Sequence, residues 1–454
     1  MKENKILFIA YLYPPVAGVG LPGVQRTVRF IRYLNRAEKY VLTLRTDLYP
    51  EYFSLDNKVS LPINRETIIR TGSADIFKVL LKGKNFFRSL LKRDKISDLP
   101  DTESKQNDLP EEKSDAVEKS RFTRIKDMIS DLLTFPDYAY SWIVPAVYEG
   151  IKAVRTYEID VIVATGMPWS SLMIAYFIKL FTGKKLVVDF RDPWVGNPYH
   201  DEKSVLEKGL KKTCESLVVH KADLIIANTD ALKEQMDARY PELKARIMVL
   251  PNGYDAEDFK DIPETRLPQE KFVISHAGFL YLKRDPVSVL KAIEIIKEKY
   301  PDFSSVIQFH HIGNINLDYD VEKYCRKKGI QENVILAGQM GHKKCLGYLA
   351  ASDVLLIIQP GTKSQIPSKL YEYIYLDKPV LAVTEKDSAL GRLLATYRFG
   401  EAFEPDEHEE IAAFLCKLAE NKRKKETITA SYSHKEKFDA RRIISEFEER
   451  LNRL

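Results

Sequence analysis

The segment QIPSKLYEYIYLDKPVLAVT, which ends at Thr384, combines residue types that could bind a phosphorylated ligand. Pro367 and Ser368 precede a predicted short helix that carries Lys369 and Glu372. A serine beside a helix start, where backbone N–H groups lack partners, together with a lysine can bind phosphate. Glu372 could accept hydrogen bonds from two hydroxyl groups, or it could simply pair with Lys369 on an exposed helix face.

A second pair of cations follows another predicted strand. Residues 272–276 form an apolar run, which a glycine turn connects to Lys283 and Arg284 just before a predicted helix over residues 287–295. Cations in this position can bind a diphosphate together with backbone N–H groups. We expect Arg284 to be the main contact and Lys283 the second.

Polar residues also follow a predicted strand in the first half of the chain. The strand over residues 186–189 leads into Asp189, Arg191 and Asp192. Ligands of α/β sheets bind beyond the carboxyl ends of the strands, so Arg191 and Asp192 are candidates for substrate contact. The alternative is a purely structural network at the end of this strand.

Near the start of the chain, a glycine-rich loop lies between a predicted strand and a helix. Gly18, Gly20 and Gly23 have the spacing GxGxxG, and glycines let the backbone approach a ligand closely. The loop contains prolines, however, and residues 41–47 end in Leu-Arg-Thr-Asp rather than forming a clear second strand that ends in the acidic residue of a dinucleotide site. These features disfavour NAD binding.

Composition indicates an ordinary globular protein with room for two domains. The 454 residues carry a formal net charge of only +5, so we expect no nucleic-acid partner. No segment approaches the roughly 20 apolar residues that cross a bilayer, and we expect a cytoplasmic protein. The four cysteines are scattered and predict neither a disulfide framework nor a zinc site: Cys214, Cys325, Cys345 and Cys416.

Several motifs resemble, in the same order, those of the retaining glycosyltransferase family 4. They are YPPxxGxG near the amino terminus, TGMPWSS with VVDFRDPW, PNGYDAEDF, and PSKLYEY with KPV. The resemblance implies the GT-B fold, an α/β architecture of two Rossmann-like domains with parallel sheets that face each other across a central cleft. We expect an acceptor-side domain over residues 1–261, a nucleotide-sugar domain over residues 262–434, and a helix over residues 435–454 that crosses back.

The resemblance also assigns roles to residues. The loop with Gly18 and Gly20 would lie near the donor phosphates, and the loop with Gly338 and Met340 would hold the nucleotide base. Donor contacts would come from both cation pairs and the helix start: Arg284, Lys283, Pro367, Ser368, Lys369 and Glu372. Catalytic contacts on the acceptor side would be Asp192 and Arg191. No metal or other cofactor is expected, because cations of the protein would neutralise the diphosphate.

This chain departs from the family pattern at three positions. The family has two glutamates separated by seven residues, and Ser364 stands where the first of them would be. We expect the backbone of residues 362–365 to contact the sugar instead. Phe279 stands where many relatives have an arginine, and Arg191 where they often have a histidine.

Residues of about 75–125 differ from the rest and predict an insertion. Phe77 to Lys95 form an amphipathic, basic pattern, and an acidic, polar stretch follows. The pattern fits a peripheral contact with the inner face of a membrane, or a solvated helix on the domain edge.

The sequence therefore predicts a glycosyltransferase of the hexosyltransferase type in polysaccharide biosynthesis. It would transfer a sugar with retention from a nucleoside diphosphate sugar to a surface-glycan or lipid-linked saccharide acceptor. A sugar-nucleotide epimerase of the same architecture and a non-catalytic nucleotide-sugar-binding relative are the alternatives.

Overall fold

The computed structural model describes residues 3–16, 22–50, 53, 55, 60–74, 135–198, 205–426, 428 and 430–454. Gly18, Gly20, the 75–125 insertion and its segment Phe77 to Lys95 lie outside the described residues. The predictions for them therefore stay predictions.

Seven strands of the described chain form the first sheet, and all are parallel. Their spatial order is β3-β2-β1-β4-β5-β6-β7. Continuous apolar runs such as ILFI in β1 form strands that are buried on both faces of a parallel sheet. The strands are β1 Asn4–Ile9, β2 Ala37–Leu44, β3 Thr67–Thr71, β4 Val161–Gly166, β5 Lys185–Phe190, β6 Leu224–Ala227 and β7 Ile247–Val249.

The second sheet contains six parallel strands of the described chain in the order β12-β10-β8-β13-β14-β15. A separate short parallel pair, β9 with β11, lies beside it. The strands are β8 Phe272–Ala277, β9 Leu280–Tyr281, β10 Ile307–Ile312, β11 Ile315–Asn316, β12 Val334–Leu336, β13 Val354–Ile358, β14 Val380–Val383 and β15 Glu401–Phe403.

Helices connect these strands, and their apolar faces pack on the sheets. The helices of the first half are α1 Pro22–Tyr33, α2 Ile143–Tyr157, α3 Ser170–Thr182, α4 Val205–Lys221 and α5 Asp230–Arg239. Those of the second half are α6 Val287–Lys299, α7 Pro301–Ser304, α8 Val321–Lys328, α9 His342–Ala351, α10 Lys369–Tyr375, α11 Ala389–Tyr397, α12 His408–Arg423 and α13 Ala440–Leu451.

The strand order reverses once in each sheet, and the reversal defines where a ligand can bind. β1 pairs with both β2 and β4, and β8 pairs with both β10 and β13. At such a reversal the connecting chains leave in opposite directions, which opens a crevice at the carboxyl ends of the strands. Two parallel-sheet α/β units of this kind confirm the predicted GT-B fold class.

The carboxyl-terminal segment differs in detail from the single helix predicted over residues 435–454. A short 3-10 helix, Lys435–Phe438, comes first, and Asp439 then caps α13 by accepting a hydrogen bond from the Arg441 backbone N–H at 2.7 Å. α13 packs on α1 of the first sheet, where the rings of Phe30 and Phe447 lie 5.0 Å apart.

None of the helices in the described ranges combines the length and the apolar character that crossing a membrane requires.

Candidate active site

A cavity of about 230 Å³ lies where the two halves of the chain meet. Some of the residues that line it directly follow β5 and β6 of the first sheet, and others follow β9 and β13 of the second half. Its lining residues are Met167, Arg191, Asp192, Asn197, Asn228, Asn252, Tyr281, Arg284, Gln359, Gln365, Ile366, Pro367 and Ser368. The cavity therefore occupies the crevice that the strand order predicts.

Arg284 is held at the wall of this cavity by the second half of the chain. Its Nη2 donates a hydrogen bond to Oε1 of Gln359 at 2.9 Å, and its guanidinium stacks over the ring of Tyr281 at 5.4 Å from the ring centre. Gln359 directly follows β13, and its own Nε2 donates to Thr362 Oγ1 at 2.9 Å. The guanidinium thus has a defined position beside the cavity.

Lys369 is the first residue of α10 and lies close to Arg284. Burial and the nearby charge of Arg284 lower the pKa of Lys369 to about 8, and the charge of Glu372 opposes this shift. The two cations and the carboxylate therefore act on one another, as a binding site for a diphosphate and a ribose would require.

Glu372 is buried on α10 and is held by a histidine from α9. Oε1 of Glu372 lies 3.1 Å from Nε2 of His342. Burial lowers the pKa of His342, but the hydrogen bond to Glu372 and the charge of Asp258 outweigh this effect, so the net shift is upward. Asp258 in turn lies 3.4 Å from Nη2 of Arg29 on α1. The carboxylate is therefore coupled to both halves of the chain.

The acceptor-side candidates lie in the opposite wall of the cavity. Oδ2 of Asp192 accepts a hydrogen bond from Nε of Arg191 at 3.1 Å, and Oδ1 accepts one from Nε2 of Gln365 at 2.7 Å. The guanidinium of Arg191 also lies close to Gly23, where a Cβ atom would be 2.5 Å from its Nη1. Asp192 thus connects the first half of the chain to the second.

Asp189 has a structural role, which the sequence had left open. Its side chain is fully buried and binds Arg26 of α1 through Nε at 2.7 Å and Nη2 at 2.8 Å. Thr165 donates a further hydrogen bond at 3.1 Å, and Arg26 also donates to the backbone oxygens of Leu250 and Pro251. This ion pair fixes α1 against the strand ends beneath the cavity.

Five of the described donor candidates are not among the residues that line the cavity, and two of these are Lys369 and Glu372 of α10. Lys283 is exposed and packs against Gly361, where its Nζ would lie 2.8 Å from a Cβ atom. Gly338 accepts a hydrogen bond from the Gly313 backbone N–H at 3.0 Å. Met340 is half-buried against the core beneath α10. Of the described donor candidates, Arg284, Pro367 and Ser368 thus line the cavity, and these five do not.

Sequence reasoning missed the amide side chains of the cavity. Asn228 donates to the backbone oxygen of Arg191 at 3.0 Å and accepts from the Asn252 backbone N–H at 2.9 Å. Their positions just beyond strand ends were a signal, but their partners are distant in the chain. Gln365 was considered only for its backbone, and His342 was not considered because nothing local connects it to Glu372.

Metal coordination receives no support from the described side chains. No group of three or more His, Cys, Asp or Glu residues among them could hold a metal ion.

Comparison with known proteins gives a coherent result. A model described as Glycosyltransferase Family 4 matches residues 111–258, and one described as Glycosyl transferases group 1 matches residues 257–435. The two adjoining matches together span residues 111–435, and each is to a glycosyltransferase domain.

Individual relatives are more distant. A D-inositol 3-phosphate glycosyltransferase of Corynebacterium urealyticum is 32% identical over 117 residues, which is 24% of this chain and 28% of that protein. An uncharacterized glycosyltransferase of Methanocaldococcus jannaschii is 20% identical over 248 residues, 52% of this chain and 58% of that protein. The chain thus matches less than two thirds of the length of either relative.

The solved structure of Anabaena Alr3699/HepE in complex with UDP and glucose has the same fold. It aligns with a TM-score of 0.59 and 15% identity, and the alignment covers 99% of each chain.

Proposed function

Because its two domains match glycosyltransferase models, we propose that this chain transfers a sugar from a nucleoside diphosphate sugar to a saccharide acceptor, with retention of anomeric configuration. The observation that carries the proposal is the coupling of Arg284, Lys369 and Glu372 beside a cavity that both halves of the chain line. The acceptor would be a surface glycan or a lipid-linked saccharide, and the sugar a hexose.

On the donor side, positively charged side chains stabilise the leaving diphosphate. The bond from the anomeric carbon to the diphosphate breaks as negative charge grows on the diphosphate. Arg284 and Lys369 stabilise that charge from fixed positions, which lowers the barrier without reorganisation at the moment of reaction. Glu372 accepts hydrogen bonds from the ribose hydroxyls, and His342 orients this carboxylate.

On the acceptor side, Asp192 and Arg191 orient the attacking hydroxyl. They face the donor half of the cavity, so an acceptor held there would lie close to the anomeric carbon. The proposal assigns charge neutralisation to protein cations and requires no metal. Activity that is unchanged by EDTA would support this assignment, and activity that returns only with added Mg²⁺ or Mn²⁺ would contradict it.

UDP is the first nucleotide to test, since a solved structure of the same fold contains it. A thermal-shift screen with UDP, GDP and CDP tests donor binding directly, because a ligand at 100 times its Kd stabilises the folded state by about 2.7 kcal/mol. The stabilising nucleotide should lose this effect in Lys369→Met. Lys291→Met, an exposed lysine of α6, serves as the matched control and should retain it.

A radiolabelled donor separates the proposal from its alternatives. With an acceptor, label should move to the glycan; a sugar-nucleotide epimerase would instead convert the donor to its epimer when no acceptor is present. A non-catalytic relative would bind nucleotide and release no labelled product under either condition. Stabilisation by none of the nucleotides would contradict the proposed function itself.

A further inference from the structure

Gln365 lies next to the position where the sequence lacks an expected acid. Ser364 stands at that position, and its backbone oxygen already accepts a hydrogen bond from Oγ1 of Thr229 at 2.6 Å. The backbone is therefore engaged in joining the two halves of the chain. Gln365, one residue later, lines the cavity with its side chain.

The orientation of the Gln365 amide follows from its partner. Its Nε2 lies 2.7 Å from Oδ1 of Asp192, and an ionised carboxylate can only accept hydrogen bonds. The NH₂ end must therefore face Asp192, because the carbonyl end would meet a second acceptor. This fixes Oε1 on the other side of the amide.

That oxygen has no hydrogen-bond partner although it is buried. Gln365 is only 9% exposed, and its Oε1 contacts no donor of the protein. Buried polar atoms are satisfied in nearly all native structures, so an unsatisfied acceptor on a side chain that lines a cavity indicates a missing donor. A hydroxyl of a bound ligand can supply that donor, whereas a carboxylate cannot.

We propose that Gln365 recognises the transferred sugar: its Oε1 accepts a hydrogen bond from a sugar hydroxyl while its Nε2 positions Asp192. The inference rests on the proposed function, since Arg284 and Lys369 must hold the diphosphate for the sugar to reach Gln365. One side chain then joins sugar recognition to the placement of the acceptor-side carboxylate.

The arrangement also defines a substrate class. The sugar carries a hydroxyl where it meets Gln365, because the unsatisfied oxygen requires a donor. A uronic acid whose carboxylate took that place would set an acceptor against Oε1 and bind poorly. A site built to hydrogen-bond a hydroxyl also discriminates strongly against the analogue that lacks it.

The experiment compares each nucleotide with its sugar nucleotide. Titration calorimetry measures the Kd of UDP, UDP-glucose, UDP-galactose, UDP-N-acetylglucosamine, GDP and GDP-mannose for the wild type, Gln365→Leu and Gln331→Leu. Gln331 is an exposed glutamine of the same half of the chain and provides a matched control. The pair used is the one in which the sugar nucleotide binds the wild type more tightly than the nucleotide alone.

Gln365→Leu should raise the Kd of the sugar nucleotide about tenfold, as expected for a lost hydrogen bond in a buried site. It should change the Kd of the nucleotide alone less than twofold. The control variant Gln331→Leu should change neither Kd. Equal increases in the two Kd values, or no increase in either, would overturn this inference and leave the proposed function standing. If no nucleotide binds the wild type, the proposed function fails and the inference with it.

A second variant separates recognition from positioning. Gln365→Glu keeps acceptor oxygens for the sugar but replaces the N–H donor that holds Asp192 with a carboxylate, whose like charge repels Asp192. The ratio of its sugar-nucleotide Kd to its nucleotide Kd should stay within about threefold of the wild-type ratio, because the sugar contact is kept, while kcat falls at least tenfold. A purely structural role for Gln365 would instead lower the folded fraction and leave the kcat of the folded enzyme unchanged, which would overturn the proposal.

Discussion

The ammonium of Lys369 occupies the space that a Cβ atom on Gly278 would need. Gly278 also has a φ of +146°, a conformation that side-chain-bearing residues rarely adopt. It follows β8, close to the reversal of strand order in the second sheet. The glycine therefore makes room for the cation that we assign to the diphosphate.

Replacing Gly278 with alanine should displace Lys369 and weaken nucleotide binding. The new methyl group would collide with Nζ, and the backbone would have to leave its present conformation. We expect the Kd of the stabilising nucleotide to rise at least tenfold, measured by titration calorimetry. Gly209→Ala is the matched control, because a Cβ atom there would contact nothing. If the nucleotide bound both variants with equal affinity, this would contradict the close approach of Lys369 to Gly278.

The depressed pKa of Lys369 predicts a pH dependence of nucleotide binding. Burial and Arg284 lower this pKa to about 8, so the lysine is charged below pH 8 and loses its proton above it. Because a bound diphosphate favours the charged form, affinity should be level below pH 8 and fall by about tenfold per pH unit above it. Titrations between pH 7 and 9 measure this. Lys369→Arg should bind with a flat profile, and a flat wild-type profile would contradict the assignment.

Removing the carboxylate of Glu372 should weaken donor binding. A hydrogen bond to a charged group contributes about 1.5 to 3 kcal/mol, and Glu372→Ala should raise the Kd of the nucleotide correspondingly. His342→Ala should cause a smaller loss, since the carboxylate remains but its orienting partner is gone. Titration calorimetry distinguishes the two, with exposed Glu332→Ala as the control. Unchanged affinity in Glu372→Ala would refute the ribose contact.

Replacing Asp192 with asparagine should affect transfer more than donor binding. The variant keeps the shape of the side chain but loses the charge that orients the acceptor hydroxyl, so kcat with acceptor should fall by roughly 10²-fold. The Kd of the nucleotide alone should stay within about twofold. Steady-state kinetics and calorimetry together test this, and a selective loss of nucleotide affinity would assign Asp192 to the donor instead.

The buried pair of Arg26 and Asp189 should matter for stability rather than for chemistry. Asp189→Ala leaves the guanidinium without its charged partner, which costs about 3 to 5 kcal/mol of folding free energy. We expect Asp189→Ala to lower the thermal midpoint clearly. The control Glu409→Ala, which removes an exposed carboxylate, should leave the midpoint unchanged. Comparable midpoints in the two variants would show that α1 does not depend on this pair.

The fold class could be derived from the sequence because it depends on local patterns. Apolar runs such as residues 6–10 predict strands that are buried on both faces, and the motifs occur in the same order as in the family. The proximity of Lys369 and Glu372 could be predicted because both lie on one short helix. Asp439, by contrast, interrupted the single helix predicted over residues 435–454, since its side chain satisfies the backbone of a new helix start.

The amino-acid sequence by itself determined the two parallel sheets, the cations of the second half and the absence of the first family acid at Ser364. Only the tertiary structure decided that Asp189 is structural while Asp192 faces the cavity, and that Gln365 meets Asp192 from the opposite wall. Periodicity and motifs report on neighbours along the chain. These contacts join residues more than 150 positions apart, so they exist only once both sheets have folded and met.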